Sequence, residues 1–134
     1  MEKFFLPPTD LTPEINFSPA ENIFYIRGNS APEDVRALYY PVTDWIKGFT
    51  EELLAGKYPE YSSANPMKFI VDLYYFNSSS AKFLYDIFYE LKRITDNRIP
   101  IVVKWYYEQE DVDMKEAGED IAMLVEMEFL YISK

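Results

Sequence analysis

The chain has 134 residues, 49% of them apolar, and carries 13 Lys and Arg against 23 Asp and Glu, for a formal charge of -10. This length suits a single domain over residues 1–134 that can bury about two thirds of its unfolded surface without covalent staples, and the charge disfavours duplex DNA or an anionic membrane as partner. Cysteine and histidine are both absent, which excludes a disulfide framework, a thiol nucleophile, thiolate or imidazole metal ligation and a Ser-His-Asp triad.

Met1 to Leu6 is too short for a targeting segment, and Pro7-Pro8 stops it. No apolar run approaches the length of a membrane span, so a cytoplasmic location is expected. Ile15 and Phe17 alternate with Glu14 and Asn16, the pattern of a short edge strand. Asn22 to Arg27 reads as a second strand, with Phe24 and Ile26 on one side and Ile23, Tyr25 and Arg27 on the other. A turn around Ser18 to Glu21 would join the two in a hairpin, and Gly28-Asn29 is expected to turn the chain again.

Ser30-Ala31-Pro32-Glu33 has the form of a helix start, with Ser30 and Glu33 as a capping box and Pro32 in the first turn. Val35, Leu38, Tyr39, Val42, Trp45, Ile46, Phe49 and Leu53 then recur at steps of three and four, an apolar stripe on a helix. Pro41 removes a donor to the Ala37 carbonyl and is expected to kink or split that helix. Gly56 ends it, and Tyr58 to Pro66 reads as a loop.

Met67 to Phe76 is the strongest strand signal, and its near-continuous apolarity predicts a central strand covered at least in part on both faces. A second amphipathic helix follows, with Ala81, Leu84, Ile87, Phe88, Leu91 and Ile94 inward. Ile101 to Tyr107 is another strand, and the connection from Met67 to Tyr107 is long enough for a parallel crossover. Asp113 to Val125 predicts a third helix with Met114, Ala117, Ile121, Leu124 and Val125 inward, weakened at Gly118. Phe129 to Ile132 closes the chain as a last strand. The fold class is α/β, a single domain with a mixed β-sheet and helices packed on it.

Two segments carry candidate chemistry. Asn77-Ser78-Ser79-Ser80-Ala81-Lys82 lies where a strand delivers the chain into a helix N-terminus. Plain capping by Asn77 or Ser78 accounts for it. The free N–H groups and the positive end of the helix dipole also favour an anion there, bound or covalently attached. Lys82 is either an exposed helix-face lysine or a contact for phosphate or a partner. The second segment, Glu108 to Glu128, holds nine acidic residues and one lysine, Lys115. Asp111, Asp113, Glu116, Glu119 and Asp120 form a solvated acidic face or a docking face for a basic partner. The calcium-loop pattern fails there for want of its glycine, which leaves a magnesium site as the remaining cation reading.

Three blocks together resemble a known family: IRGNSAPEDVRALYYPVTDWI from Ile26, LYYFNSSSAK from Leu73 and VKWYYEQEDVDMKEAGEDI from Val103. The chain is similar, over about residues 8 to 132, to the SiaC-like bacterial regulatory phosphoproteins. The resemblance implies a fold like that of the anti-sigma-factor antagonist (STAS-like) proteins, and a partner-switching role. A protein kinase would phosphorylate a hydroxyl in the strand-to-helix segment and a PP2C-type phosphatase would remove it. The unphosphorylated form would bind and stimulate a diguanylate cyclase, acting through cyclic di-GMP on biofilm formation. The family commonly has Asn-Thr-Ser-Ser here, and Ser78 stands at the phosphoacceptor position, with Ser79 and Ser80 as further candidates. Asn77 and Lys82 would shape the local cap and the partner contact. The expectation is therefore a non-enzymatic switch protein without cofactor, metal, nucleic-acid or membrane partner. A small anion-binding or magnesium-dependent enzyme is the alternative.

Overall fold

The computed structural model describes all 134 residues. Its strands are β1 (Phe4–Leu6), β2 (Glu14–Ser18), β3 (Ile23–Ser30), β4 (Met67–Phe76), β5 (Ile101–Tyr107) and β6 (Phe129–Ser133). Its helices are α1 (Val35–Leu54), α2 (Ser78–Asp96) and α3 (Val112–Val125), with one 3-10 turn at Pro19–Glu21. The six strands form one sheet in the order β1-β2-β3-β4-β5-β6. β1, β2 and β3 pair antiparallel, whereas β3 to β6 pair parallel, each parallel step bridged by one helix.

The expected hairpin forms, and the 3-10 turn that closes it ends at Asn22 in the left-handed conformation (φ 55°). The Asn22 amide reaches across to β4, accepting from the Lys68 N–H and donating to the Pro66 carbonyl, both at 3.0 Å. β1 has no strong sequence signal. Its three residues pair with β2, and Phe4 stacks on Phe17 at 5.8 Å.

All three helices pack on one face of the sheet. Trp45 and Phe49 of α1 meet Phe17 and Phe24 at 5.2 and 5.4 Å. Phe88 of α2 meets Phe69 and Phe129 at 5.8 and 4.8 Å. The α3 backbone at Gly118 lies against the Trp105 indole. Burial alternates along β4 accordingly: Met67, Phe69, Val71 and Leu73 are buried, while Lys68 and Tyr74 on the other face are exposed. β4 is central, as its composition predicts, but helices cover only one of its faces. The apolar run looks continuous because half-buried Ile70 and the exposed Tyr74 and Tyr75 fill the positions between and after the buried residues.

Four further expectations are corrected. β3 does not turn at Gly28-Asn29. Gly28 takes φ +114°, which glycine adopts without strain, and the strand runs on through a register shift to Ser30, opposite Phe76. Ser30 therefore caps nothing, and the α1 cap is Asp34, whose carboxylate accepts from the Ala37 N–H at 3.1 Å. Pro41 does not split α1, which is one helix of 20 residues. Ala37 and Pro41 both face solvent, where water can satisfy the freed carbonyl. In α3, Leu124 is exposed, and Gly118 occupies the inward face where the indole leaves no room for a side chain.

The total accessible surface is 7338 Å², close to the roughly 7,400 Å² that size scaling gives for a folded monomer of this mass. No buried side-chain polar atom lacks a hydrogen-bond partner.

Candidate functional site

The second helix begins directly at the end of the central strand. Phe76 is held opposite Ser30, and the next N–H, that of Asn77, donates to the Ser30 carbonyl at 3.0 Å. Asn77 is extended, with φ -83° and ψ 173°, and its side-chain oxygen accepts from the Ser80 N–H at 2.9 Å. That is the geometry of an N-cap. The first intrahelical bond runs from the Ala81 N–H to the Asn77 carbonyl, 3.0 Å. The N–H groups of Ser78 and Ser79 precede that bond, at the positive end of the helix dipole.

The three serines of the first turn have different surroundings. Ser78 and Ser79 are exposed, and the Ser79 hydroxyl donates to the Asn77 side-chain oxygen at 3.3 Å. Ser80 is 0% exposed. Its hydroxyl donates to the Ser30 carbonyl at 3.0 Å, and the Ser30 hydroxyl donates to the Ser80 oxygen at 2.8 Å. The Ser30 oxygen lies 2.6 Å from the Tyr39 hydroxyl. Because both serine protons are already committed, Tyr39 is the donor in that contact. Burial raises the Tyr39 phenol above its ordinary 10, against the opposing pull of the Ser30 and Ser80 hydroxyls. It stays a proton donor throughout the neutral range. A closed chain of hydroxyls thus joins β3, α1 and α2 directly beneath the exposed pair.

Lys82, one turn further along α2, extends into solvent with 71% of its side chain exposed. Its ammonium pairs with Asp86 at 3.0 Å and sits 4.8 Å from the centre of the Phe83 ring. Phe83 stacks almost flat on Tyr39 at 5.4 Å, and the exposed Tyr40 meets its edge at 5.8 Å. A groove of about 510 Å³ opens here between α1 and α2. Ile46, Phe83 and Ile87 make its apolar lining, and Asp44, Lys47, Lys82, Asp86 and Glu90 its charged walls.

Residues 6–134 match the family model described as SiaC family regulatory phosphoprotein. The chain belongs to the SiaC family. The crystal structure of apo-SiaC from Pseudomonas aeruginosa superposes with a TM-score of 0.82 at 24% identity, over 99% of this chain and 100% of that one. SiaC in the P. aeruginosa complex of the diguanylate cyclase SiaD with its activator SiaC gives 0.82 at 23% identity, over 98% and 99% of the two chains. These likenesses are of fold. An uncharacterized protein of P. aeruginosa (strain UCBPP-PA14) is 25% identical over 120 residues, 90% of this chain and 87% of that protein.

In this SiaC-family chain the acidic segment lies on α3, which follows β5, the parallel neighbour of the strand that leads into the serines. Asp111 is the α3 cap, accepting from the Met114 N–H at 3.0 Å. Asp113, Glu116, Glu119 and Asp120 are exposed along the helix. They do not converge, and no group of three or more acidic side chains is placed to hold a metal ion. No helix is long and apolar enough to cross a membrane.

Sequence reasoning missed Ser30 and Tyr39 as members of the site. Ser30 looks like a cap because it precedes Pro-Glu, and Tyr39 falls within an apolar stripe. Reading β3 through Gly28 as a bulge would have set Ser30 opposite Phe76, two residues before Ser78.

Proposed function

We propose that this protein is a phosphorylation-controlled partner switch whose unphosphorylated form binds and activates a diguanylate cyclase. A protein kinase adds a phosphate to Ser78, and a PP2C-type phosphatase removes it. The chain itself is not an enzyme. The observation that carries this reading is the Ser78 hydroxyl, exposed in the first turn of α2, in a member of a regulatory phosphoprotein family. The membership of P. aeruginosa SiaC in a complex with a diguanylate cyclase supports the choice of partner. Burial of Ser80 supports an acceptor among the exposed Ser78 and Ser79.

Physically, the modification adds about 1.5 to 2 negative charges beside the dipole's positive end, where they are tolerated. The core need not refold. What changes is the docking face around Ser78, Tyr40 and Lys82. The exposed acids of α3 steer a basic region of a partner.

The test is phosphosite mapping after incubation with the cognate kinase, joined to binding of the cyclase by Ser78→Ala and Ser78→Asp proteins. Phosphate on Ser78 is expected, with Ser78→Ala binding as the unmodified protein does and Ser78→Asp at least about ten-fold weaker, or 1.4 kcal/mol. Modification confined to residues outside 78–80, or equal binding by both variants, would overturn the assignment.

A further inference from the structure

The ion pair Lys82–Asp86 has its charges in the less favourable order. On a helix, an acid four residues before a base is stabilised both by the pair and by the dipole, whereas a base placed before an acid opposes the dipole. Lys82 lies in the second turn, near the positive end, with Asp86 one turn further in. Both side chains are largely solvated, at 71% and 43% exposure, so the pair is weakly held. Ser78 is four residues before Lys82, and Ser79 is three before it. An anion on either hydroxyl would meet Lys82 in the favoured order, and a phosphate carries more charge than the Asp86 carboxylate.

Resting on the reading of Ser78 as the acceptor, we propose that Lys82 is the residue that reads the phosphate: modification of Ser78 draws Lys82 from Asp86 to itself. The consequence appears in the groove between α1 and α2. Lys82 and Asp86 are both wall residues there, and Lys82 also covers Phe83. In the unmodified protein their charges cancel. After re-pairing, Asp86 stands without its cation, the charged lining of the groove becomes Asp44, Asp86 and Glu90 against Lys47 alone, and the part of the Phe83 ring under Lys82 is uncovered. Glu90 keeps its own cation, Arg93, at 2.8 Å. The added charge is thus transmitted to the groove by one exchanged partner, with no backbone movement. The groove changes from nearly balanced to acidic. A partner surface that places a carboxylate over Lys82 loses its cation when Ser78 is modified.

The experiment installs phosphoserine at position 78 by genetic encoding, with Lys82 intact and with Lys82→Gln. ³¹P NMR follows the second ionisation of the phosphate, and ¹³C NMR follows the Asp86 carboxyl carbon. With Lys82 present, the second ionisation constant should be about two- to five-fold larger than with Lys82→Gln. The Asp86 carbon should shift on phosphorylation only in the protein that retains Lys82, and Lys82→Arg should restore both effects. A phosphate that titrates identically with and without Lys82, or an Asp86 signal unmoved by phosphorylation, would overturn the re-pairing. Because the phosphate is installed directly, that failure is separate from failure of the kinase assignment, which phosphosite mapping decides by itself.

Discussion

Ser80 and Ser30 are joined by two hydrogen bonds across fifty residues of sequence. The Ser80 hydroxyl donates to the Ser30 carbonyl at 3.0 Å, and the Ser30 hydroxyl donates to the Ser80 oxygen at 2.8 Å. Both residues are 0% exposed, so water cannot replace either partner. Ser80→Ala leaves the Ser30 proton without its acceptor, and Ser30→Ala leaves the Tyr39 phenol without its own. Each should cost about 1–3 kcal/mol in urea unfolding, while Ser78→Ala, at an exposed position, should stay within about 0.5 kcal/mol. The Ser30→Ala, Ser80→Ala double variant should lose less than the sum of the singles, because the two share one network. Full additivity would show that the hydroxyls act independently.

A second prediction concerns Gly118. Alanine is the better helix former, by about 1 kcal/mol. A Cβ at this position, however, would lie 2.6 Å from Nε1 and Cε2 of Trp105, closer than real contacts allow. The indole cannot easily yield, since it is 0% exposed and its N–H donates to the Met114 carbonyl at 3.0 Å. Gly118→Ala should therefore destabilise the protein by about 1–3 kcal/mol despite the propensity gain. Tryptophan fluorescence during denaturation would report both the stability loss and the displaced ring. A stabilised variant would show that α3 can slide away from β5.

Pro41 should respond in the opposite sense. It is exposed in the interior of α1 and withholds a donor from the Ala37 carbonyl. No contact to the core depends on its ring. Pro41→Ala should raise stability by about 1–3 kcal/mol, read as a higher urea midpoint with unchanged slope. A loss of stability would mean that the proline's restriction of the unfolded chain outweighs the recovered hydrogen bond.

The pH dependence has an acid and an alkaline limb. The Tyr25 hydroxyl donates to Glu14, and Arg27 pairs with it at 2.7 Å; the Tyr25 bond, with help from Arg27, lowers the Glu14 carboxyl below its ordinary 4.5. A depressed carboxylate contributes stability above its unfolded value of 4.5, and that contribution is lost as pH falls through the lower folded value. The stability advantage of the native protein over Glu14→Gln should accordingly shrink as the pH drops below about 4.5.

Tyr61 governs the alkaline side. Burial, with smaller contributions from Glu60 and Tyr58, raises its phenol to about 12, and its hydroxyl donates to the Pro19 carbonyl. A raised phenol holds its proton more tightly in the folded state. Its contribution is full below the unfolded value of 10 and disappears as pH rises towards about 12. Tyr61→Phe should remove part of the stability loss between these values, measured by thermal unfolding at stepped pH. An unchanged alkaline slope would refute this assignment.

Elements with a repeating pattern were legible in the amino-acid sequence. Met67 to Phe76 reads as a strand from its apolar run and its flanking Pro66 and Asn77, and those are its bounds in the structure. The stripe through Val42, Ile46, Phe49 and Leu53 marks the buried side of α1. The run of possible cap oxygens from Asn77 to Ser80 signals the start of α2, though only the structure decides that Asn77 rather than Ser78 is the cap. These features depend on residues close along the chain, so local order states them. The absence of Cys and His likewise restricts the chemistry without reference to any fold.

Other features depend on residues that become neighbours only when the sheet closes. Ser30 has every local mark of a cap, yet the parallel pairing of β3 with β4 sets it opposite Phe76 and inside the core. Three consecutive serines are chemically alike in sequence. The turn of α2 leaves Ser78 and Ser79 in water and seals Ser80 against Ser30. Gly118 lowers helix propensity by itself, and only the indole from β5 shows why no larger residue fits. Composition and periodicity thus determined which segments are strands and helices from β2 onward, while β1 emerges only from its pairing with β2. The packing of helices on a single face of the sheet decided which hydroxyls are reachable, because burial is a property of neighbours distant in sequence.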